Sequence, residues 1–285
     1  MDNDGPSRTA LITAYARAYH QIADRPLIFS DPLALRLLGA TAEKLIELGT
    51  TDSLGPAVSD RSRRLFFASR ARFAEDAVAA AVATGVRQVV ILGAGLDTFA
   101  YRNPLPDLRV FEVDHPATQA WKRERLIAAG IDPPETLTFV SVDFETSTLA
   151  TALESSGFER TDSAVFVWLG VVFYLTPDAA HATLEYIAGQ GRRVEVIFDY
   201  LQPAAGDEDR AYQQIRADRL AAAGEPVCSY FTADDLAAQL RALGFTDLED
   251  RSAPDLVAGY LDGSATFGGE PPRALRANRI LRASR

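Results

Sequence analysis

The residues best suited to chemistry lie in VVILGAGLDTFAYR, residues 89–102, where an apolar run breaks at Gly93 and Gly95 and Asp97 and Thr98 follow. Glycines at the end of a strand let backbone approach a ligand without a Cβ in the way. In an open parallel sheet, ligands bind beyond the carboxyl ends of the strands, where strand order reverses. The dinucleotide fingerprint G-x-G-x-x-G needs its third glycine for tight helix packing beneath a pyrophosphate. Here Thr98 occupies that position, and Asp97 adds a negative charge to the loop.

Two glycines, no third and an acid favour a nucleoside cofactor without phosphates. S-adenosylmethionine (SAM) fits, with an adenosine end, an amino-acid end and a sulfonium. A second strand-like stretch, RVFEVDHP, puts Glu112 and Asp114 on one face, since strands repeat every two residues. Asp114 lies about twenty residues past Gly93, where a ribose-binding acid belongs. It is the first choice for that role and Glu112 the second. A third stretch ends in VSVDFE, where Asp143 could accept from an adenine amino group with Phe144 stacking nearby. The competing reading makes Asp143 a helix N-cap. On a long predicted helix, Phe66, Arg70, Phe73 and Ala77 share a mostly apolar face. A buried arginine there needs an anion, either the amino-acid carboxylate of SAM, held in bidentate fashion, or an internal acid such as Asp97. Arg72 has Asp76 four residues on, the spacing of a surface pair.

Few groups could act as bases. His181 reads as a surface residue and His115 as part of the cofactor turn. His20, in the N-terminal segment beside Tyr15 and Tyr19, is a candidate for the acceptor side, with a structural role as the competing reading. Tyr174, next to Phe173 beyond the fourth strand, is a second candidate, against a plain core role. No metal-ligand spacing appears. The single cysteine, Cys228, excludes an intramolecular disulfide and a multi-cysteine metal site.

These residues need a frame. Predicted strands at 88–92, 109–113, 137–141, 164–169 and 194–198 alternate with helices at about 116–129, 146–156 and 177–189, which implies an α/β fold with a parallel sheet covered on both faces. Helices at 8–22, from Pro32 to a stop at Gly39, and at 59–84 precede it. Helices at about 210–223 and 232–243 follow, and 245–250 and 278–283 read as two closing strands paired as a hairpin. The chain therefore divides into a helical cap (1–58), a cofactor-binding core (59–200), a substrate-side insertion (201–235) and a C-terminal helix and hairpin (236–285), all one domain. The net charge of −10 argues against nucleic acid as a partner. The longest apolar run, 164–175, is too short to cross a bilayer, and the N-terminus lacks the pattern of a signal peptide. A soluble, cytoplasmic protein is the expectation.

Taken together, SRARFAEDAVAAAVATGVRQVVILGAGLDTFAYR, VFEVDHP, VDF and VWLGVVFYLT resemble the leucine carboxyl methyltransferase family of SAM-dependent enzymes. The resemblance implies the class I methyltransferase fold, a Rossmann-like sheet of seven strands with the last antiparallel. It implies SAM as cofactor and S-adenosylhomocysteine as product. It assigns Arg70 to the SAM carboxylate, Gly93 to the loop under the amino-acid end, Asp114 to the ribose, and Asp143 with Phe144 to the adenine, while Gly95 remains a cofactor-loop candidate from the glycine pattern itself. Many members carry a SAM-contacting Glu where this chain has Leu169, a departure that fits the bacterial small-molecule O-methyltransferase branch better than protein-tail methylation. The expected function is O-methylation of a small-molecule carboxylate or hydroxyl by in-line transfer. The alternatives are an NAD(P)-dependent oxidoreductase and a SAM-binding protein without transferase activity.

Overall fold

The five short apolar runs expected as strands do form strands, and the helices between them cover both faces of the sheet. The computed structural model describes residues 7–50, 55–142, 148–261 and 270–285. Four helices come first: α1 (Arg8–Ala23), α2 (Pro32–Leu38), α3 (Ala42–Thr50) and α4 (Pro56–Ser59). The long α5 (Arg61–Ala83) leads into β1 (Gln88–Leu92), α6 (Phe99–Arg102), β2 (Arg109–Asp114), α7 (Pro116–Ala128), β3 (Leu137–Ser141), α8 (Leu149–Ser155) and β4 (Ala164–Trp168). A 3-10 turn at Val172–Tyr174 precedes α9 (Pro177–Ala188) and β5 (Val194–Leu201). Next come α10 (Asp207–Ala222), α11 (Ala233–Ala242), β6 (Asp247–Ser252), α12 (Ala253–Tyr260), α13 (Arg273–Arg276) and β7 (Asn278–Ser284).

The sheet order is β3-β2-β1-β4-β5-β7-β6. β1 to β5 pair in parallel, and β7 runs antiparallel to both its neighbours. Order reverses between β1 and β4, which opens a crevice at their carboxyl ends. Both central strands are buried along their whole length. Val90, Leu92, Phe166 and Trp168 face one core with α9 and α11, while Val89, Ile91, Val165 and Val167 face another with α5 and α12. A third cluster belongs to the N-terminal helices, where Ala14, Tyr19, Leu37 and Leu45 pack on Leu96 of the glycine turn and Leu126 of α7.

Local signals set the ends of the elements. Asp31 caps α2 by accepting from Ala34 N, and Gly39 ends it at φ 62°. Asp60 caps α5, one residue beyond the expected start. Two expectations need correction. β6 and β7 pair antiparallel but are not a simple hairpin, because α12 and α13 lie between them and β7 enters the sheet between β5 and β6. The cause is local: Ser252 accepts from Asp255 N and Pro254 stands in the first turn, so the chain enters a helix directly after β6. β5 also extends to Leu201, because β7 pairs with it along Asp199, Tyr200 and Leu201. Among the described residues no helix is long and apolar enough to cross a membrane, and none form a group that could hold a metal ion.

Candidate functional site

The glycine turn after β1 is built for close approach. Gly93 and Gly95 have φ of 66° and 48°, a region that favours glycine. A Cβ on Gly93 would overlap Val171, and one on Gly95 would come within 2.9 Å of Ala10 Cβ on α1. The turn is tied to β2, since Gly93 N and Ala94 N both donate to Val113 O, at 2.8 and 3.1 Å. Asp114, at the tip of β2, takes one backbone N–H on each oxygen: Gly95 N on Oδ2 at 2.6 Å and His115 N on Oδ1 at 2.7 Å. Burial raises its carboxyl pKa, against these two bonds that lower it. Thr98, in the place of a third glycine, is buried and locked. Its Oγ1 donates to Asp31 at 2.7 Å and accepts from Arg102 Nε at 2.9 Å. Asp97 accepts from Phe99 N at 2.7 Å and so starts α6.

Arg70 is buried on the inner face of α5, and its acid is neither Asp97 nor any residue of the glycine turn. Nη1 donates to Asp199 Oδ2 at 2.5 Å, near the end of β5, while Asp199 Oδ1 accepts from Gly170 N just past β4. Gly170 sits at φ 76°, and a Cβ there would lie 3.2 Å from Arg70 Nη2. The guanidinium also lies 4.7 Å from the Phe67 ring centroid. One joint thus fixes α5, β5 and the β4 loop together beside the crevice. Arg72 pairs with Asp76 on the surface at 2.7 Å, as its spacing predicts.

Glu112 is buried one turn of the pleat below Asp114. Its Oε2 pairs with Lys122 Nζ at 2.6 Å, and its Oε1 has no hydrogen-bond partner. Burial pushes its carboxyl up to about 7 in spite of the lysine. Its side chain therefore belongs to an internal pair beneath the strand tip. Leu169 is half-buried and lines a small hollow, little larger than one water molecule, with Ala74, Glu75, Asp97 and Phe99, against α5. Asp143 and Phe144 lie outside the described residues.

The two acceptor-side candidates separate. His20 is fully buried. Its Nδ1 faces Asp24 Oδ2 at 3.2 Å, and its Nε2 accepts from Ile28 N and Phe29 N at 3.1 and 3.4 Å. Asp24 also takes two bonds from Arg64, at 3.0 and 2.9 Å. His20 therefore pins the segment between α1 and α2, a structural task. Tyr174 stands at a junction of elements. Its hydroxyl is 3.2 Å from Thr9 Oγ1 on α1, and burial raises its phenol pKa. Glu225, after α10, accepts from Ser7 Oγ at 2.6 Å, from Thr9 N at 3.4 Å and from Thr9 Oγ1.

Sequence reasoning missed Asp199, Asp31 and Glu225. Asp199 carried a partial signal, an acid near the carboxyl end of an apolar run, but nothing local in the sequence ties it to Arg70. Asp31 was read only as a helix start. Nothing near Glu225 in the sequence points to Ser7 and Thr9, more than two hundred residues away.

Comparison with known proteins converges on one description. A family model described as leucine carboxyl methyltransferase matches residues 10–188. A Bacillus subtilis protein named as a candidate S-adenosyl-L-methionine-dependent methyltransferase is 32% identical over 290 residues, covering 90% of this chain and 91% of that protein. A Mycobacterium tuberculosis protein of the same description is 32% identical over 224 residues, covering 74% of this chain and 72% of that protein. The crystal structure of a DUF574 family protein from Streptomyces avermitilis superposes with a TM-score of 0.58 at 15% identity, over 99% of this chain and 98% of that one, and shares the fold.

Proposed function

The chain belongs to the leucine carboxyl methyltransferase family and is a SAM-dependent methyltransferase; on that premise we propose that it esterifies a carboxylate of a small molecule by in-line methyl transfer. The observation that supports the cofactor side of this reading is the convergence of Asp114, the glycine turn and the Arg70–Asp199–Gly170 joint around the reversal of strand order.

The residues present suit the cofactor. A carboxylate has about four acceptor positions, and backbone takes one on each oxygen of Asp114. Capacity remains for the ribose hydroxyls. Asp199 engages Nη1 of Arg70, and a guanidinium has five N–H donors, so Arg70 can also hold the amino-acid carboxylate. Gly93 and Gly95 pass beneath that end. Asp143 and Phe144 are assigned to the adenine by the resemblance, and Leu169 to the cofactor side of β4 in place of the family glutamate. The dinucleotide alternative is dropped, because Thr98 is committed to Asp31 and Arg102.

Bound SAM supplies a methyl carbon activated by the adjacent positive sulfur. The protein's task is to align an acceptor oxygen with it and to exclude water. A carboxylate is ionised at neutral pH and needs no base, whereas a phenol, with a free pKa of about 10, would benefit from one. Tyr174 stays protonated, because burial raises its pKa, and its hydroxyl shares a hydrogen bond with Thr9 Oγ1. His20 is spent on the cap fold. Both facts favour an acceptor that arrives already ionised.

Calorimetric titration with SAM, S-adenosylhomocysteine and NAD(H) in parallel tests the cofactor assignment. SAM and its product are expected to bind and NAD(H) is not; the reverse would overturn the reading. Arg70→Ala and Asp114→Ala are each expected to weaken SAM binding by at least ~1.5 kcal/mol, the scale of a lost charged hydrogen bond. Unchanged affinity in the folded variants would place the cofactor elsewhere. Methyl label transferred to an organic acid and released as methanol by mild alkali identifies an ester. An alkali-stable product points instead to hydroxyl methylation.

A further inference from the structure

The chain holds 39 acidic and 29 basic residues, and most of its buried or half-buried arginines have a close carboxylate. Arg17 pairs with Asp31, Arg64 with Asp24, Arg70 with Asp199 and Arg102 with Glu75. Two half-buried arginines, one of them within electrostatic reach of Tyr174, break this pattern. Arg63 on α5 donates from Nη2 to Tyr212 Oη at 2.5 Å, and its Nε is buried without a hydrogen bond. Its one ion-pair partner among the described residues, Asp60, is 3.9 Å away and more than a third exposed. Arg216 lies four residues after Tyr212 on α10, which puts both on one helix face. The hydrogen bond that Arg216 makes is a long one, Nη1 to Asn278 Oδ1 at 3.4 Å, and among the described residues it forms no ion pair. Tyr174, Tyr212 and Tyr230 lie within electrostatic reach of it. Glu225, the acid beside Tyr174, is already occupied by Ser7 and Thr9.

Two neighbouring guanidinium groups without a close counter-charge cost stability unless an anion joins them. Burial, and then the like charge of Arg63, push the Arg216 pKa below its ordinary value, a strain of the kind found at functional sites. Which part of the acceptor the two arginines would hold matters as well. Arginine bonds on the reacting carboxylate would occupy its lone pairs and stabilise it before transfer, which lowers k for the step. The same bonds on another part of the acceptor add affinity without that penalty.

We propose that Arg63 and Arg216 form an anchoring subsite for a second, non-reacting oxyanion of the acceptor, a carboxylate or a phosphate, with the three tyrosines framing the body that carries it. This rests on the methyltransferase reading, and the test separates the two. S-adenosylhomocysteine is first titrated into the wild-type protein, and failure to bind sinks the methyltransferase reading itself. The loaded protein is then titrated with benzoate, phenyl phosphate and benzamide. At least one of the two anions is expected to bind tenfold or more tightly than the neutral amide, and which one identifies the oxyanion. Arg63→Gln and Arg216→Gln should each reduce anion binding at least tenfold and change affinity for S-adenosylhomocysteine less than twofold. Arg216→Lys, which keeps the charge, should retain part of the preference. Equal binding of acid and amide, no binding of any probe, or anion binding unchanged in the glutamine variants would overturn the proposal while leaving the cofactor assignment standing.

Discussion

Asp199 is the residue on which most local geometry depends, since it neutralises Arg70 and receives the Gly170 N–H that turns the chain out of β4. Asp199→Asn keeps an acceptor for Gly170 but leaves a buried guanidinium without its anion. Removing one partner of a buried pair costs about 3–5 kcal/mol, and a loss near the lower end is expected from urea unfolding. A change of a few tenths would mean that water, and not Asp199, solvates Arg70. At this scale the sequence was readable where position alone defines a role. Asp114 stands at a strand tip about twenty residues past a glycine turn, and the structure puts it there, bonded to Gly95 N. Arg70 was legible as a buried charge from the apolar face it shares, but its partner was not, because Asp199 is brought to it by the pairing of distant strands. Position ranked Asp114 above Glu112 on their shared face, but the sequence did not show what Glu112 does. Lys122, which settles the difference between them, comes from the following helix.

Among the helices, α10 stands apart, for none of its residues is fully buried. It is held by polar tethers along its length: Arg63 to Tyr212, Gln213 Nε2 to Gln202 O at 2.9 Å, and Arg276 to Asp209 at 3.1 Å. At its carboxyl end, Glu225 clasps the first turn of α1, where an acid also meets the positive end of the helix dipole. Glu225→Ala should open this clasp. Hydrogen exchange is expected to quicken at least about tenfold in α10 and the first turn of α1, with β1 and β4 unchanged, since elements of low local stability open independently of the core. Uniform slow exchange in α10 would show that other contacts hold it. Long amphipathic helices and β-branched runs were legible because period and capping residues are local properties. The exit from β6 into α12 and the extra length of β5 were not, because one depends on a short cap and the other on where β7 inserts.

Over the whole molecule, buried carboxyls with opposite shifts give stability a pH profile. Burial raises the Asp24 carboxyl, but the bonds from His20 and Arg64 outweigh it and hold the group below its ordinary value. That contribution is present at neutral pH and is lost as pH falls through the lowered value. Glu112 acts in the other direction. Between its ordinary 4.5 and the folded value of about 7, the folded state holds a proton that the unfolded chain has released, so stability falls as pH rises through that window. Glu112→Gln should flatten the dependence of the urea midpoint between about pH 5 and 7. An unchanged slope would assign it to other groups. The sheet order itself was legible only through the family resemblance, because alternating strands and helices fix a parallel sheet but not which strand neighbours which.

The shallow seating of α10 has a consequence for redesign. A helix that gives no side chain to the core can be exchanged without renegotiating the packing beneath it, so the scaffold and its roof can be altered separately. On the anchoring subsite proposed for Arg63 and Arg216, grafting another stretch at 207–222 with Arg216 moved or removed is expected to redirect which molecules are admitted and to leave S-adenosylhomocysteine binding unchanged.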